Sequence, residues 1–277
     1  MLKQRIVTAL VLLAILLPAL FYRTPTPFWV VALVLLCVGA WEWGRLNGLE
    51  QAGSCAMAGG CVVLCAASWY GDWLDQPLPL LWATAGAAWV LIGSWLLLRG
   101  VASWSHIARV VRLIGGLLAL WLAWVAVAQA RFIGIEFLLS VLLLVWAADI
   151  FAYFAGRTFG GRVSRRKLAP SISPGKSWEG VWGGMAGVVL VALGWLGLGS
   201  GDSFYARLAQ KHGVAVMLLA VVFLAAMSVV GDLAESLIKR SAGAKDSSGL
   251  LPGHGGVLDR VDALLPTLPL AMMLASL

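Results

Sequence analysis

Nine apolar runs, each about sixteen to twenty-three residues long, divide this chain from end to end, at about 6–22, 28–44, 53–70, 78–98, 113–130, 132–154, 179–198, 213–233 and 262–277. A run of that length and composition has few ways to fold, because about twenty residues of α-helix cross the hydrocarbon core and satisfy their own backbone groups on the way. Charged residues make up 12% of the 277 positions and hydrophobic ones 61%, too little polar surface for a soluble body of this size. The expected fold class is an all-α integral membrane protein of about nine transmembrane helices. The last run would span only ~24 Å. The fifteen tryptophans suit the headgroup level, and the net charge of +7 suits an anionic leaflet rather than nucleic acid.

The first run follows Met1-Leu-Lys-Gln-Arg5 and resembles the core of a secretory signal, but it exits through Leu-Phe-Tyr-Arg-Thr-Pro with no small-x-small cleavage site. It reads as a retained span. Cys37, Cys55, Cys61 and Cys65 lie in apolar stretches without companions at metal-ligand spacing. They read as small buried residues.

With the N-terminus inside, only Arg23, Arg131, Arg207 and Lys211 of the twenty cations fall outside, together with Asp72 and Asp75. The positive-inside rule therefore puts the N-terminus and both long polar joints, 157–178 and 234–261, on the cytoplasmic face. Residues 1–130 read as a scaffold of about five helices and 131–277 as the catalytic region. Glu42, at the end of the second run, reads as an interface residue reaching water.

Charge concentrates between Ser236 and Asp262, where four cations, three carboxylates, a histidine and five glycines follow one another. Ionisable groups beside hydrocarbon persist when they pair, bind an ion or meet water. If the eighth helix continues past its apolar run, Asp232, Glu235, Ser236 and Lys239 share one face. Asp259 and Asp262 repeat that spacing where the last run begins, and Asp149 adds a carboxylate inside the sixth. Hard oxygen ligands of this kind suit Mg²⁺. Gly253, Gly255 and Gly256 allow backbone amides to turn toward an anion, and His254 among them is either a structural residue or a phosphate donor and acid–base group. In the other joint, Ser171, Ser173, Lys176 and Ser177 lead into a helix N-terminus suited to phosphate. The basic run Arg165-Arg-Lys167 either joins them or only fixes topology. Gly175-Lys-Ser177 is not a P-loop, since Pro170 stands where the first glycine is needed.

The run Ser236-x-Ile-Lys-Arg-x4-Lys-Asp-x5-Pro-x-His-Gly-Gly-Val-x-Asp-Arg-Val-Asp262 resembles the hallmark of phosphatidate cytidylyltransferases, also called CDP-diacylglycerol synthases. Ser173-Pro-Gly-Lys-Ser-Trp-Glu-Gly180, with Ser177 where threonine is commoner, and Asp149-Ile-Phe-Ala-Tyr-Phe-Ala-Gly-Arg157 are similar to two further stretches of that family. The first five runs match only in hydrophobicity. The resemblance implies a bacterial inner-membrane enzyme, dimeric, that makes CDP-diacylglycerol and pyrophosphate from CTP and phosphatidate with Mg²⁺, one ion or two. It implies that Asp232 and Asp259 hold metal, with Asp246, Asp262 and Asp149 as further ligands. Lys239, Arg240, Lys245 and Arg260 would neutralise triphosphate, and Arg157, Ser173, Lys176 and Ser177 would take substrate phosphates beside Ser236, Gly255, Gly256 and His254. A CDP-alcohol phosphatidyltransferase is the enzyme alternative, but Asp259-x-x-Asp262 continues Ala-Leu-Leu-Pro instead of Gly-x-x-Ala-Arg. A cation-coupled transporter, from another class, would place its carboxylates near the midplane and show inverted repeats; no repeat appears.

Overall fold

A computed structural model of the chain describes residues 2–164, 166–199 and 201–277. Arg165 of the basic run lies outside these, as do the side chains of Lys3 and Arg5. Twelve helices and one small hairpin make up the described fold. Their order is α1 (Leu2–Phe21), α2 (Thr26–Leu46), α3 (Gln51–Tyr70), α4 (Pro79–Arg99), α5 (Val101–His106), α6 (Arg109–Ile133), α7 (Ile135–Phe159), β1 (Lys167–Ala169), β2 (Ser173–Ser177), α8 (Trp178–Leu198), α9 (Phe204–His212), α10 (Val214–Ser241), α11 (Leu258–Val261) and α12 (Leu264–Ser276).

Seven of the described helices, α2, α3, α4, α6, α7, α8 and α10, are long and apolar enough to cross a membrane. The expectation of about nine included α1 and α12. The apolar part of α1 is Ile6–Phe21, and α12 has thirteen residues, ~20 Å of helix. Every residue from Leu265 to Met272 is buried, so α12 owes its hydrophobicity to packing against α4, α6 and α10. Some tryptophans likewise sit inside the protein instead of at the headgroups. Trp29 and Trp124 are buried, and their indole N–H groups donate to Ala128 O at 3.0 Å and Trp29 O at 3.1 Å.

Two departures from the expected layout build the site. The 157–178 joint is not all loop, for β1 and β2 pair antiparallel with Lys167 opposite Ser177 and Ala169 opposite Ser173. Helix α10 runs eight residues past the expected end at 233, to Ser241. Its carboxylates are therefore carried on a rigid element.

The joint is held against its neighbours by the seam of α7 and α8. Along α8, Gly180, Gly183, Gly184 and Gly187 face α7: a Cβ at Gly184 would lie 2.8 Å from Ala148 O, and one at Gly183 or Gly187 would run into Ala155 or Phe151. Small residues at this spacing let two membrane helices approach backbone to backbone. All four cysteines are free thiols, with Cys61 and Cys65 buried in α3.

Candidate active site

Both long joints meet. Lys176 on β2 pairs with Asp232 on α10, and Arg240 Nε donates to Ile172 O in the hairpin turn at 3.4 Å. Ser236 Oγ donates to Asp232 Oδ1 at 3.3 Å, one helical turn on. Ser177 caps α8, accepting from Gly180 N at 3.2 Å, so its hydroxyl is spent at least in part on the helix end. Glu179 reaches back to accept from Val163 N at 3.1 Å and Ser164 N at 2.7 Å, which pins the turn before the hairpin.

Between α7, α8, α10 and the hairpin lies a cavity of about 430 Å³. Its lining combines Asp149, Tyr153, Arg157, Lys176, Ser177 and Asp232 with the apolar Val181, Met185, Ala225 and Val229. Asp149 is exposed within it, which answers the question a carboxylate in mid-helix poses. Arg157 donates to Tyr153 Oη at 3.0 Å on the same wall.

The 242–263 segment folds around Asp259. Its Oδ1 accepts from Lys239 Nζ at 2.5 Å, and its Oδ2 accepts from Ser247 N, Ser247 Oγ and Gly256 N at 2.9, 2.8 and 2.7 Å. Lys239 pairs also with Glu235, so one buried ammonium is held between two carboxylates. Burial would raise the Asp259 carboxyl, but the Lys239 ammonium and the two amides outweigh it and hold the group below the usual carboxylate range. The glycine amides were expected to meet a substrate anion; the anion that Gly256 N meets is Asp259. Gly255 is required beside it, since its φ is +81° and a Cβ there would lie 2.6 Å from Asp259 Oδ2. His254 closes the turn, its N–H donating to Leu251 O at 2.8 Å, and its Nδ1 is buried without a hydrogen-bond partner.

Several of the expected residues do not converge on the cavity. Lys239 is buried in its ion pairs, while Lys245, Asp246 and Arg260 are exposed on the loop side. Ser173 stands at the start of β2, two residues before the cavity lining begins at Gly175. Glu42 was expected to reach water; it is fully buried and accepts hydrogen bonds from the 247–258 loop. Nothing near it in sequence signals this, for its partners are more than two hundred residues away.

Among the described residues no three His, Cys, Asp or Glu side chains converge as a metal cage, so the five carboxylates do not form one preformed site. Asp259 has one oxygen engaged by Lys239 of α10 and the other by the loop, and fits an anchor. Asp232 and Asp262 fit a cation better. The Asp262 carboxyl is pushed up to about 7 by burial and by the neighbouring Asp232 charge, and Asp149 lies within electrostatic reach of Asp232, Lys176 and Arg260. Carboxylates that repel one another beside an open cavity, too few for a cage, match the way Mg²⁺ is held by one or two carboxylates together with substrate phosphates.

Comparison with known proteins bears on the chemistry. The model of the cytidylyltransferase family matches residues 3–277. A phosphatidate cytidylyltransferase of Pseudomonas aeruginosa is 44% identical over 275 residues, covering 97% of this chain and 95% of the relative. One of Haemophilus influenzae is 36% identical over 97% of this chain and 96% of the relative. Another, of Brucella abortus, is 49% identical over 135 residues, 48% of this chain.

Proposed function

The chain belongs to the cytidylyltransferase family, and on that footing we propose that this nucleotidyltransferase makes CDP-diacylglycerol and pyrophosphate from CTP and phosphatidate, in the inner membrane of a bacterium. The observation that carries the reading is the mixed charged and apolar lining of the cavity. Arg157, Lys176 and Ser177 line it together with Val181, Met185, Ala225 and Val229, and helices able to cross a membrane enclose it. A lipid with a phosphate headgroup has that shape of chemistry.

A phosphate monoester is largely dianionic near pH 7, its second pKa being about 6, so it attacks the α-phosphorus of CTP without a strong base. The new bond joins a lipid phosphate oxygen to that phosphorus, and the bond to the β-phosphate oxygen breaks, releasing pyrophosphate. The protein's task is to bring two polyanions together and neutralise them. Lys176 and Arg157 would hold the lipid phosphate, and Arg260, within electrostatic reach of Asp149, would face the nucleotide. Bound Mg²⁺, held by Asp232 and Asp262 with Asp149 nearby, would screen the phosphate charges. Lys239 and Asp259 would keep the 242–263 segment in register with α10 instead of touching substrate.

The test is pyrophosphate release by the purified protein in mixed micelles with CTP, phosphatidate and Mg²⁺. Release that depends on both substrates is expected. Release without CTP, or a lipid product that is not CDP-diacylglycerol, overturns the reading.

A further inference from the structure

Glu42 lies on α2, far from the cavity in sequence, and is wholly buried. Its Oε1 accepts from Ser248 Oγ at 2.5 Å and Val257 N at 3.0 Å, and its Oε2 accepts from Ser247 Oγ at 3.2 Å and Leu258 N at 2.8 Å. A carboxylate offers about four acceptor sites; Ser248 Oγ, Val257 N and Leu258 N fill three, and the fourth faces Ser247 Oγ, whose single proton Asp259 also draws on at 2.8 Å. All four belong to one loop.

That loop is the one that holds Asp259. Ser247 stands between the two acids, since its Oγ is also 2.8 Å from Asp259 Oδ2. Val257 and Leu258 open the turn α11, which carries Asp259 and leads to Asp262. The approach is close enough that a Cβ on Gly256 would collide with both Ser247 Oγ and Glu42 Oε1. Burying an acid in a membrane helix costs several kcal/mol unless its partners are in place, and an apolar residue would pack α2 at no such cost. We infer that Glu42 is a positioning residue for the transfer reaction: it clamps 247–248 to 256–258 and thereby sets where Asp259 and Asp262 stand relative to α10.

The kinetic half of this inference rests on the CTP and phosphatidate reading, and the structural half does not. The experiment uses the full chain in micelles, with Glu42→Gln, Ser248→Ala and the double variant, read by kcat, KM for CTP, thermal unfolding and hydrogen exchange at the amides of 256–258. Glu42→Gln sets an amide N–H₂ against two donors. It is expected to lower kcat about tenfold to a hundredfold, the range a misplaced constellation gives, with KM for CTP changed less than about threefold. Exchange at 256–258 rises about tenfold while that in α7 stays put. Ser248→Ala moves kcat the same way by about threefold to tenfold, and the double variant loses less than the product of the two.

Unchanged exchange at 256–258, or a lower unfolding temperature with kcat intact, overturns the inference. If Glu42→Gln does not accumulate, Ser248→Ala decides: a slowed kcat supports the clamp and an unchanged one removes it. Should the unsubstituted protein not turn over, the proposed reaction fails, and the exchange measurement still decides the clamp.

Discussion

Lys176 and Asp232 meet as an ion pair across the cavity, one at the end of a β-hairpin strand and the other on α10. Both side chains are about one-third exposed or less, at 27% and 32%, so substrate phosphate or a cation arriving in the cavity competes for each of them. The pair ties the hairpin to α10, and on the proposed reading the substrates would meet it there.

Asp232→Asn keeps the shape and removes the charge, and turnover is expected to fall by at least about a hundredfold. Lys176→Gln is expected to lower kcat/KM by roughly tenfold to a hundredfold, with Lys176→Arg keeping part of it because a cation still faces the phosphate. Steady-state pyrophosphate release checks both. Full turnover in Asp232→Asn would remove Asp232 from any metal site.

Lys239 is the one cation between Glu235 and Asp259 among the described residues, and its side chain and theirs are 11%, 5% and 5% exposed. Lys239→Met strands two buried carboxylates, which costs about 3–5 kcal/mol. Thermal unfolding in detergent should show that loss, and Glu235→Gln added to it should restore a measurable part. A Lys239→Met protein as stable as the parent would mean that the triad is not formed.

Much of this layout was legible in the sequence. Apolar runs named the crossing helices, and the spacing of Asp232, Ser236 and Lys239 named the face of α10, because both follow from helical periodicity alone. The signature between Ser236 and Asp262 named the family. The division of labour inside it was not legible. Sequence shows that Lys239 and Asp259 are charged but not that they neutralise each other, and the glycine amides look the same whether their anion is a phosphate or Asp259. Glu42 was misplaced for the same reason, since its donors come from the far end of the chain. The last helix, at thirteen residues, is not among the seven long and apolar enough to cross, and the sequence does not distinguish the two because burial in protein and burial in lipid select the same residues.

Asp262 gives the fold a pH dependence. Its carboxyl is pushed up to about 7 by burial and by the charge of Asp232, whereas in the unfolded chain it loses its proton near pH 4. Its contribution to stability is therefore full below about pH 4 and is lost progressively as pH rises to about 7. In chelator, unfolding temperatures should fall over that window in the parent and much less in Asp262→Asn. Added Mg²⁺ should restore stability at pH 8 to the parent more than to the variant; equal responses would place the ion elsewhere.

Gly184 tests the seam of α7 and α8. A side chain there meets Ala148 O and Ala152 Cβ, so Gly184→Leu must push the helices apart at a cost of about 1–3 kcal/mol. Because Asp149 and Lys176 lie on opposite sides of that seam, activity should fall by more than tenfold, about what a 1 Å shift of a site can cost. Gly194→Leu is the control, for a Cβ at Gly194 meets open space. Equal losses in the two variants would show that the seam does not hold the site.

The hydrogen bond from Ser247 to Glu42 joins residues 205 positions apart, and this has a consequence for how the protein is made. At about 5–20 residues per second, an acid already inserted in the second helix waits on the order of 10–40 s before the loop that satisfies it leaves the ribosome. During that wait Glu42 has only water, lipid headgroups or the insertion machinery to turn to. The Glu42 clamp cannot form until Leu258 has been made, so the segment around Asp259 stays unclamped until then. The same delay exposes α2 to quality control, and substitutions that weaken the Glu42 contacts should lower yield.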